Sequence, residues 1–325
     1  MLFIKKKKTM GKNIILCCLL LSAALNATAQ INNSTDSDED SEDLMAMLEE
    51  AAGTPKKEIT IATFKTTRIA NAHSIENLGK GILDFRINHR FGSVEDGLKE
   101  FFGLDNATTR IGFDYGITNW LMIGAGHSSF MKEYDGFIKA RLLRQKDNGG
   151  TPLSISYLGA VYAQTMEVAV PAGKEYDFAN RIAYVNQLLI ARKFSNWLSI
   201  QLMPTHLHYN LVDFRTEKND VPALGLGGRL KASKRIAFTW EYYFVPDEFK
   251  RKGARNSLTL GMDIETGGHV FQLMFSNSTG VSERAVIGQT TGQWEKGDLH
   301  FGFNISRVFT IVKPKGFEDS RNKIW

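Results

Sequence analysis

Cysteine is almost missing from this sequence, because only Cys17 and Cys18 occur among its 325 residues. Both lie in a segment typical of a secretory signal, in which lysines precede an apolar run, 14–21, and a small-x-small cleavage site, 27–29. We therefore predict a cleaved signal over residues 1–29 and a mature chain without disulfides, thiolate metal sites or a cysteine nucleophile. An uncleaved helical anchor is the alternative, but the apolar run is short for the ~20 residues that a membrane-spanning helix needs.

An excess of either charge is also missing once the signal is removed. The chain has 40 basic and 35 acidic residues, and the signal contains five lysines and no acid, which leaves 35 of each. Eight acids and no base occur in 36–50. This run predicts a disordered acidic leader over residues 30–57, which is a candidate docking segment for an envelope partner. No basic patch with interleaved aromatics occurs, so we expect no nucleic-acid partner.

A helical period is nearly absent from residue 58 onward, where apolar residues alternate with polar ones instead. The clearest alternating stretches are 83–87, 111–117, 236–244, 258–264 and 301–305. Alternation of this length predicts β-strands, and twelve such stretches fall between Gly79 and Ile311. The only clear helical candidate is short, Val94 to Leu104.

The connections between these stretches alternate in length, which is typical of an outer-membrane barrel. Short turns are predicted at 118–119, 146–150, 195–196, 233–235 and 266–268. Longer connections are predicted near 93–106, 131–135, 166–180, 213–222, 246–256 and 280–298. We therefore predict an all-β, antiparallel up-and-down transmembrane β-barrel over residues 58–311, with about 12 strands and alternatives of about 10 or 14. A C-terminal tail, 312–325, would then lie on the periplasmic side.

A soluble β-sandwich or a lipocalin-like barrel is the competing interpretation of the same alternation. It would need a second layer to cover the outward apolar residues, which recur on nearly every strand, whereas lipid covers them directly. Most stretches also reach the ~9–11 residues that a transmembrane strand needs. Aromatic residues near the strand ends predict an interfacial girdle, and they are Trp120, Phe130, Tyr134, Trp197, Tyr209, Phe244 and Phe309. The expected location is the outer membrane of a Gram-negative bacterium, in contact with lipid and lipopolysaccharide, after insertion by the barrel-assembly machinery.

A further strand-like run, "EITIATFKTT" at Glu58 to Thr67, lies before the first of the twelve strands. Three interpretations are open: a periplasmic lead-in, a plug inserted into the barrel, or an additional strand that changes the count by one hairpin. Its alternation is the same as that of the strands, so the sequence does not choose among them.

Seven segments in a fixed order carry a resemblance to a known family. They are "NAHSIENLGKGILDFRINHRFG", "FGLDNATTRIGFDYGITNWLMIGAG", "YDGFIKARLLRQ", "LLIARKFSNWLSIQLMPT", "NDVPALGLGGR", "DIETGGHVFQLMFSNSTG" and "GDLHFGFNISRVF". Over Asn71 to Phe309, the chain resembles a Bacteroidota family of β-barrel proteins of unknown function (domain of unknown function 5777). The resemblance implies an outer-membrane barrel, and it implies no reaction, ligand or catalytic residue.

The residues that alternate with the outward apolar positions would line the lumen. The candidates for binding a solute there are Asp84, Arg86, Arg90, Arg110, Asp114, Lys139, Arg141, Arg229 and Glu241. With Lys231, Asp263 and Glu265 the set has seven basic and five acidic members. Two interpretations are open, because paired charges can fill a narrow barrel and stabilise it, or they can line a solute path with a mild anion preference.

Two histidine motifs and one glycine-rich run are candidates for chemistry. His206 and His208 share one strand face, as a metal pair would, but that face is predicted to meet lipid and no carboxylate lies on it, so we predict no metal site. His127 and Ser129 have the spacing of a lipid hydrolase, but no acid is placed beside the histidine to orient it. "LGLGG" at 224–228 lacks the phosphate-loop pattern and a following helix. We therefore expect no enzymatic activity and no cofactor.

The leading functional hypothesis is passage or binding of a small solute through a charged lumen. The alternative is a structural or partner-docking barrel with a plugged lumen, whose leader or loops recruit another envelope protein. An integral lipid hydrolase is a weaker third hypothesis. Barrels of about eight strands are filled by side chains, and those of 16–18 strands leave an aqueous channel. A strand number between these does not decide whether the lumen is open or filled.

Overall fold

The computed structural model describes residues 59–146, 150–166, 177–266 and 269–312. The predicted signal, the acidic leader and the tail beyond residue 312 lie outside these ranges. Twelve strands occur: β1 (Ile82–Ser93), β2 (Ala107–Gly116), β3 (Leu121–Ser128), β4 (Glu133–Leu143), β5 (Ser154–Gln164), β6 (Ile182–Lys193), β7 (Leu198–Tyr209), β8 (Asp220–Lys231), β9 (Ile236–Phe244), β10 (Ser257–Thr266), β11 (His269–Ser276) and β12 (His300–Thr310). The predicted number of strands is confirmed.

The strands form one closed antiparallel barrel in which each strand pairs with its neighbours along the chain. The first and last strands close it, with Ile82 opposite Thr310 and Asn88 opposite Asn304. Closure leaves no open sheet edge, so the ladder satisfies the strand backbone groups that lipid cannot hydrogen bond. The predicted fold class, an up-and-down antiparallel barrel, is confirmed.

The alternation of the sequence becomes an alternation between lipid-facing and lumen-facing side chains. On β9, Phe238 and Phe244 are about half exposed on the outside, whereas Thr239 and Glu241 between them are buried inside. Trp120 and Trp197 are exposed at the ends of short turns, where an aromatic girdle is expected.

Tyr209 is the girdle prediction that the structure contradicts. It is 2% exposed and points into the lumen, because the inward residues of β7 are the odd-numbered ones that include Gln201. Its ring lies under the guanidinium groups of Arg251 and Arg284, at 4.5 and 5.2 Å. An aromatic residue at a strand end therefore anchors loops here and does not mark the lipid boundary.

Three turns between strands share one hydrogen-bonding pattern, and two of them have similar sequences, "TNW" at 118–120 and "SNW" at 195–197. The hydroxyl groups of Thr118, Ser195 and Ser233 each accept a hydrogen bond from the backbone N–H three residues later, at 3.0 to 3.1 Å. A hydroxyl at this position stabilises a tight turn by capping a free backbone donor. The motif therefore serves chain reversal.

The predicted helix at 94–104 is only partly correct. Val94–Gly103 forms 3₁₀ turns that are interrupted where Gly97, Phe101 and Phe102 have positive φ angles. The α-helix of the described residues, α1 (Glu283–Gly288), lies in the β11–β12 connection, where no helix is predicted. No helix within the described ranges is long and apolar enough to cross a membrane.

Candidate functional site

The nine charged residues predicted to line the lumen all lie on inward-facing strand positions. Eight of them are at most 5% exposed, and the ninth, Arg141, is half-buried near the mouth that carries the short turns. Asp263 is also buried, whereas Lys231 and Glu265 are half-buried near the same mouth. The structure therefore brings these residues to one lumen, and their role in binding a solute stays a prediction.

Residues 63–78 lie inside the barrel, and we call this segment the N-terminal insert. The chain comes in at the short-turn mouth, where the Thr60 N–H donates to the carbonyl of Gln145. It reverses in a tight turn between Arg68 and His73 and returns to the same mouth to begin β1. Of the three interpretations of the strand-like run at 58–67, its described part matches the inserted plug, because residues 63–67 lie in the lumen and form no strand.

Glu241 holds the tip of the N-terminal insert from the middle of β9. Its carboxylate accepts hydrogen bonds from the backbone N–H groups of Asn71 and Ala72, at 2.9 to 3.1 Å, and from the Asn71 side chain at 2.7 Å. The Asn71 side chain also donates to Thr259 and accepts from Arg90. Hydrogen bonds to a charged group contribute about 1.5–3 kcal/mol each, so this cluster is a strong anchor for the insert.

The two arms of the insert are held through their backbone carbonyl groups. Gln201 donates to the carbonyl of His73 at 2.7 Å, and the Lys139 ammonium donates to those of Ser74 and Glu76. On the opposite wall, the carbonyls of residues 69 and 70 accept from the side-chain amides of Gln272 (2.8 Å) and Asn304 (2.7 Å). These amides were missed at the sequence level because only charged residues were sought, although alternation places them inward.

Ion pairs connect the insert with the barrel wall on the side of β1 and β2. Arg68 of the insert pairs with Asp114 at 3.3 Å. Arg86 pairs with Asp84 at 2.7 Å and donates to the Thr67 hydroxyl at 2.9 Å. The insert thus supplies partners for wall charges that would otherwise be buried in a narrow lumen at a high energetic cost.

A second segment, residues 281–288 of the β11–β12 connection, fills the lumen from the opposite mouth, and we call it the loop insert. Every residue in it is buried. Glu133 of β4 accepts from the hydroxyl of Ser282 at 2.5 Å and pairs with Arg284 at 2.8 Å. Glu283 accepts from the hydroxyl of Tyr162 at 2.6 Å. The sequence does not predict that this segment enters the lumen, because its few apolar residues lie within a long connection, 280–298, that is otherwise polar.

The two inserts meet in the middle of the barrel. The Nε2 atom of His73 lies 3.9 Å from a carboxylate oxygen of Glu283. The cavity between the inserts has a volume of about 10 Å³, which is roughly the smallest space that holds one water molecule. A larger vestibule of about 460 Å³ lies between the N-terminal insert and strands β1, β10, β11 and β12, lined by Phe64, Lys65, Glu265 and Val308 among others. The lumen is therefore closed at its centre and hollow at the short-turn mouth.

An ion cluster at the long-loop mouth joins the β7–β8 and β9–β10 connections. Arg251 pairs with Asp213 at 2.5 Å and with Glu217 at 3.2 Å. Burial by itself lowers the pKa of the Arg251 guanidinium, but Tyr209, Asp213 and Glu217 outweigh it and leave this pKa raised. The Arg251 guanidinium therefore stays charged, and its ion pairs hold the two loops together.

His206 and His208 lie on the outer surface of the barrel, as predicted. His206 and His208 both hydrogen bond to one carboxylate oxygen of Asp220, at 2.9 and 2.8 Å. Asp220 belongs to the neighbouring strand β8, so it was missed by a search along β7 alone. Within the described ranges, no three His, Cys, Asp or Glu side chains are grouped so as to hold a metal ion.

The H-x-S pair does not form a catalytic arrangement in the described structure. The His127 ring lies 4.3 Å from the ring of Tyr134, measured between centroids. Ser129 follows the end of β3, and its hydroxyl accepts a hydrogen bond from the backbone N–H of Thr109 at 2.9 Å. The glycine-rich run at 224–228 lies within strand β8 and forms no loop.

Comparison with known proteins places the chain among membrane barrels. The family model described as "Membrane bound beta barrel domain (DUF5777)" matches residues 64–309. The NanC porin is 8% identical over 71% of this chain and 100% of its own, with a TM-score of 0.43. The KdgM porin is 8% identical over 71% of this chain and 99% of its own (TM-score 0.42), and the Acinetobacter baumannii outer membrane protein Omp33 is 8% identical over 70% and 97% (TM-score 0.39).

These sequence identities and TM-scores are too low to support an inference about solutes. No curated protein matches the chain. The family match covers most of the sequence, including all twelve strands apart from the last residue of β12. The chain therefore belongs to the family of membrane-bound β-barrel domains of unknown function, DUF5777.

Proposed function

We propose that the protein is an outer-membrane barrel that binds and passes a small solute through its lumen, and that the two inserts keep this path closed at rest. In this proposal the short-turn mouth faces the periplasm, as does the acidic leader that precedes the N-terminal insert. The solute path opens when the N-terminal insert leaves the lumen. The lipid and lipopolysaccharide contacts and the assembly machinery are those of any barrel in this membrane.

The proposal rests on one observation: polar and charged side chains of the barrel wall bind the N-terminal insert. Glu241, Lys139 and Gln201 contact it through hydrogen bonds, and water or a solute can make these hydrogen bonds in its place, so that no buried donor or acceptor of the wall is left unpaired when the insert leaves. A wall built only to be filled would more simply use apolar side chains, because replacing buried polar networks by apolar residues is often neutral or stabilising. The hydrophilic wall therefore supports a lumen that is emptied and refilled.

A permanently closed barrel that docks an envelope partner is the second candidate. Apolar side chains of the N-terminal insert favour it, since Phe64, Ile69 and Ile75 are at most 3% exposed. Burial of such side chains contributes about 1.5–3 kcal/mol each, which opposes departure of the insert. The acidic leader would then be the segment that recruits the partner.

Single-channel recording in planar bilayers distinguishes the two candidates. We expect the full chain to be mostly closed, and Glu241→Gln combined with Lys139→Met to give frequent, long openings, because both substitutions weaken the hold on the insert. Glu265→Gln is the matched control, since it removes only a partly exposed partner of Lys65 in the insert and should change the openings by less than about fivefold. If the folded double variant never conducts, the solute path is refuted and the docking barrel is favoured.

A further inference from the structure

We infer that the lumen contains a binding site for a peptide main chain and that the N-terminal insert is the built-in occupant of this site. The inference rests on the proposed function and gives the chemical class of the solute. It follows from the main-chain groups of the insert that the barrel wall contacts, which lie beside side-chain contacts such as those of Arg68 and Asn71.

The wall contacts the main chain of the insert almost residue by residue. The carbonyl groups of residues 69, 70, 73, 74 and 76 accept hydrogen bonds from wall side chains. The backbone N–H groups of residues 71 and 72 donate to Glu241. Five side chains on five different strands supply these contacts: Lys139 on β4, Gln201 on β7, Glu241 on β9, Gln272 on β11 and Asn304 on β12.

The donors and acceptors of the wall are complementary to those of a peptide main chain in a turn. A carboxylate that bridges two successive N–H groups matches the peptide unit, in which every residue carries one donor and one acceptor. Carbonyl acceptors flank this pair on both sides, and each faces an amide or ammonium donor. A small inorganic ion offers no such alternation.

The space around residues 69–72 of the insert limits the size of the side chains that a bound peptide can have there. Ala70 and Ala72 are 1% exposed, so we expect small residues to be preferred at these positions. Ile69 occupies a space that exists because residue 227 is glycine, since a Cβ there would lie 2.5 Å from the Ile69 Cδ1 atom. We expect a preferred peptide with one large apolar residue followed by small ones.

The experiment uses the full chain with a cleavable connection between insert and barrel. A recognition sequence for a site-specific protease is placed after Lys80, which is exposed at the mouth, and the protein is folded before cleavage. The barrel therefore forms with its insert in place and then holds it without a covalent bond. Retained heat-modifiable mobility on a gel shows that the cleaved barrel stays folded.

The cleaved insert is then exchanged for a fluorescent peptide with the sequence of residues 66–78, and the affinity of the barrel for this peptide is measured. We expect it to bind saturably, and we expect N-methylation of its residues 71 and 72 to weaken binding about 100-fold, because two hydrogen bonds to a charged group are lost. Glu241→Gln should weaken binding of the unmodified peptide roughly 100-fold, because its three hydrogen bonds to the peptide become bonds to a neutral acceptor. A neutral oligosaccharide of similar length serves as the competing solute class and should not displace the peptide.

Two results would overturn the peptide site while leaving the solute path intact. One is a cleaved, washed barrel that conducts ions but binds no peptide, and the other is binding that N-methylation does not change. The opposite result, peptide binding without conductance after the peptide is washed out, would refute the solute path and support the peptide site. Displacement of the peptide by the oligosaccharide at equal concentration would assign the lumen to polyhydroxyl solutes and overturn the inference.

Discussion

Replacing Glu241 by glutamine should release the N-terminal insert without disturbing the barrel. The carboxylate accepts hydrogen bonds from three donors of the insert, namely both backbone N–H groups and the Asn71 side chain. A neutral acceptor loses about 1 kcal/mol for each of these bonds, since bonds to charged groups contribute about 1.5–3 kcal/mol and neutral ones about 0.5–1.5 kcal/mol. The sum of about 3 kcal/mol corresponds to a rise of roughly 100-fold in the undocked fraction.

A single cysteine reports this fraction directly, because the two native cysteines both lie in the predicted signal. Ser74 is fully buried in the insert, so Ser74→Cys should react with a maleimide only when the insert leaves the lumen. When opening is fast relative to the reaction, the labelling rate follows the open population. We expect Glu241→Gln to raise the labelling rate of Ser74→Cys roughly 100-fold.

Glu265→Gln in the same cysteine background is the matched control. Its ion pair with Lys65 is partly exposed, and such pairs contribute about 0.2–1 kcal/mol, which corresponds to a change of less than about fivefold. Equal labelling rates for the two glutamine variants would refute the anchoring role of Glu241. A change in heat-modifiable mobility of either variant would show that the barrel itself is disturbed.

The remaining predictions concern the loop insert, the turns and the outer surface. Arg284→Ala leaves Glu133 buried without its ionic partner, so we expect a loss of about 3–5 kcal/mol in the free energy of unfolding, measured with denaturant in detergent, and a double variant with Glu133→Gln should recover part of it. Thr118→Ala should lower the free energy of unfolding by about 0.5–1.5 kcal/mol through loss of the turn hydrogen bond, and Thr118→Ser should not. Purified Ser129→Ala should release fatty acid from lipid at the same rate as wild type, and a lower rate in the variant would support the hydrolase hypothesis.

The strands and their two faces could be predicted from sequence because they depend on local periodicity. Side chains alternate between the two sides of a strand, so the polar positions of β9 identify Glu241 as inward without knowledge of its neighbours. The same reasoning failed at Tyr209, because both faces of a strand end can carry an aromatic residue. It also missed Asp220, since its contact with His206 depends on the pairing of β7 with β8.

The sequence by itself determined the class of the protein: a β-barrel with strands of membrane length and an inward face rich in charge. These properties follow from composition and from a period of two, which are visible over a few neighbouring residues. Only the tertiary structure decided that the lumen is closed and by what. The contact between Asn71 and Glu241 joins residues 170 positions apart, and Ser282 and Glu133 are 149 apart. No local pattern encodes such pairs, because their partners lie far apart in the sequence and the folded barrel brings them together.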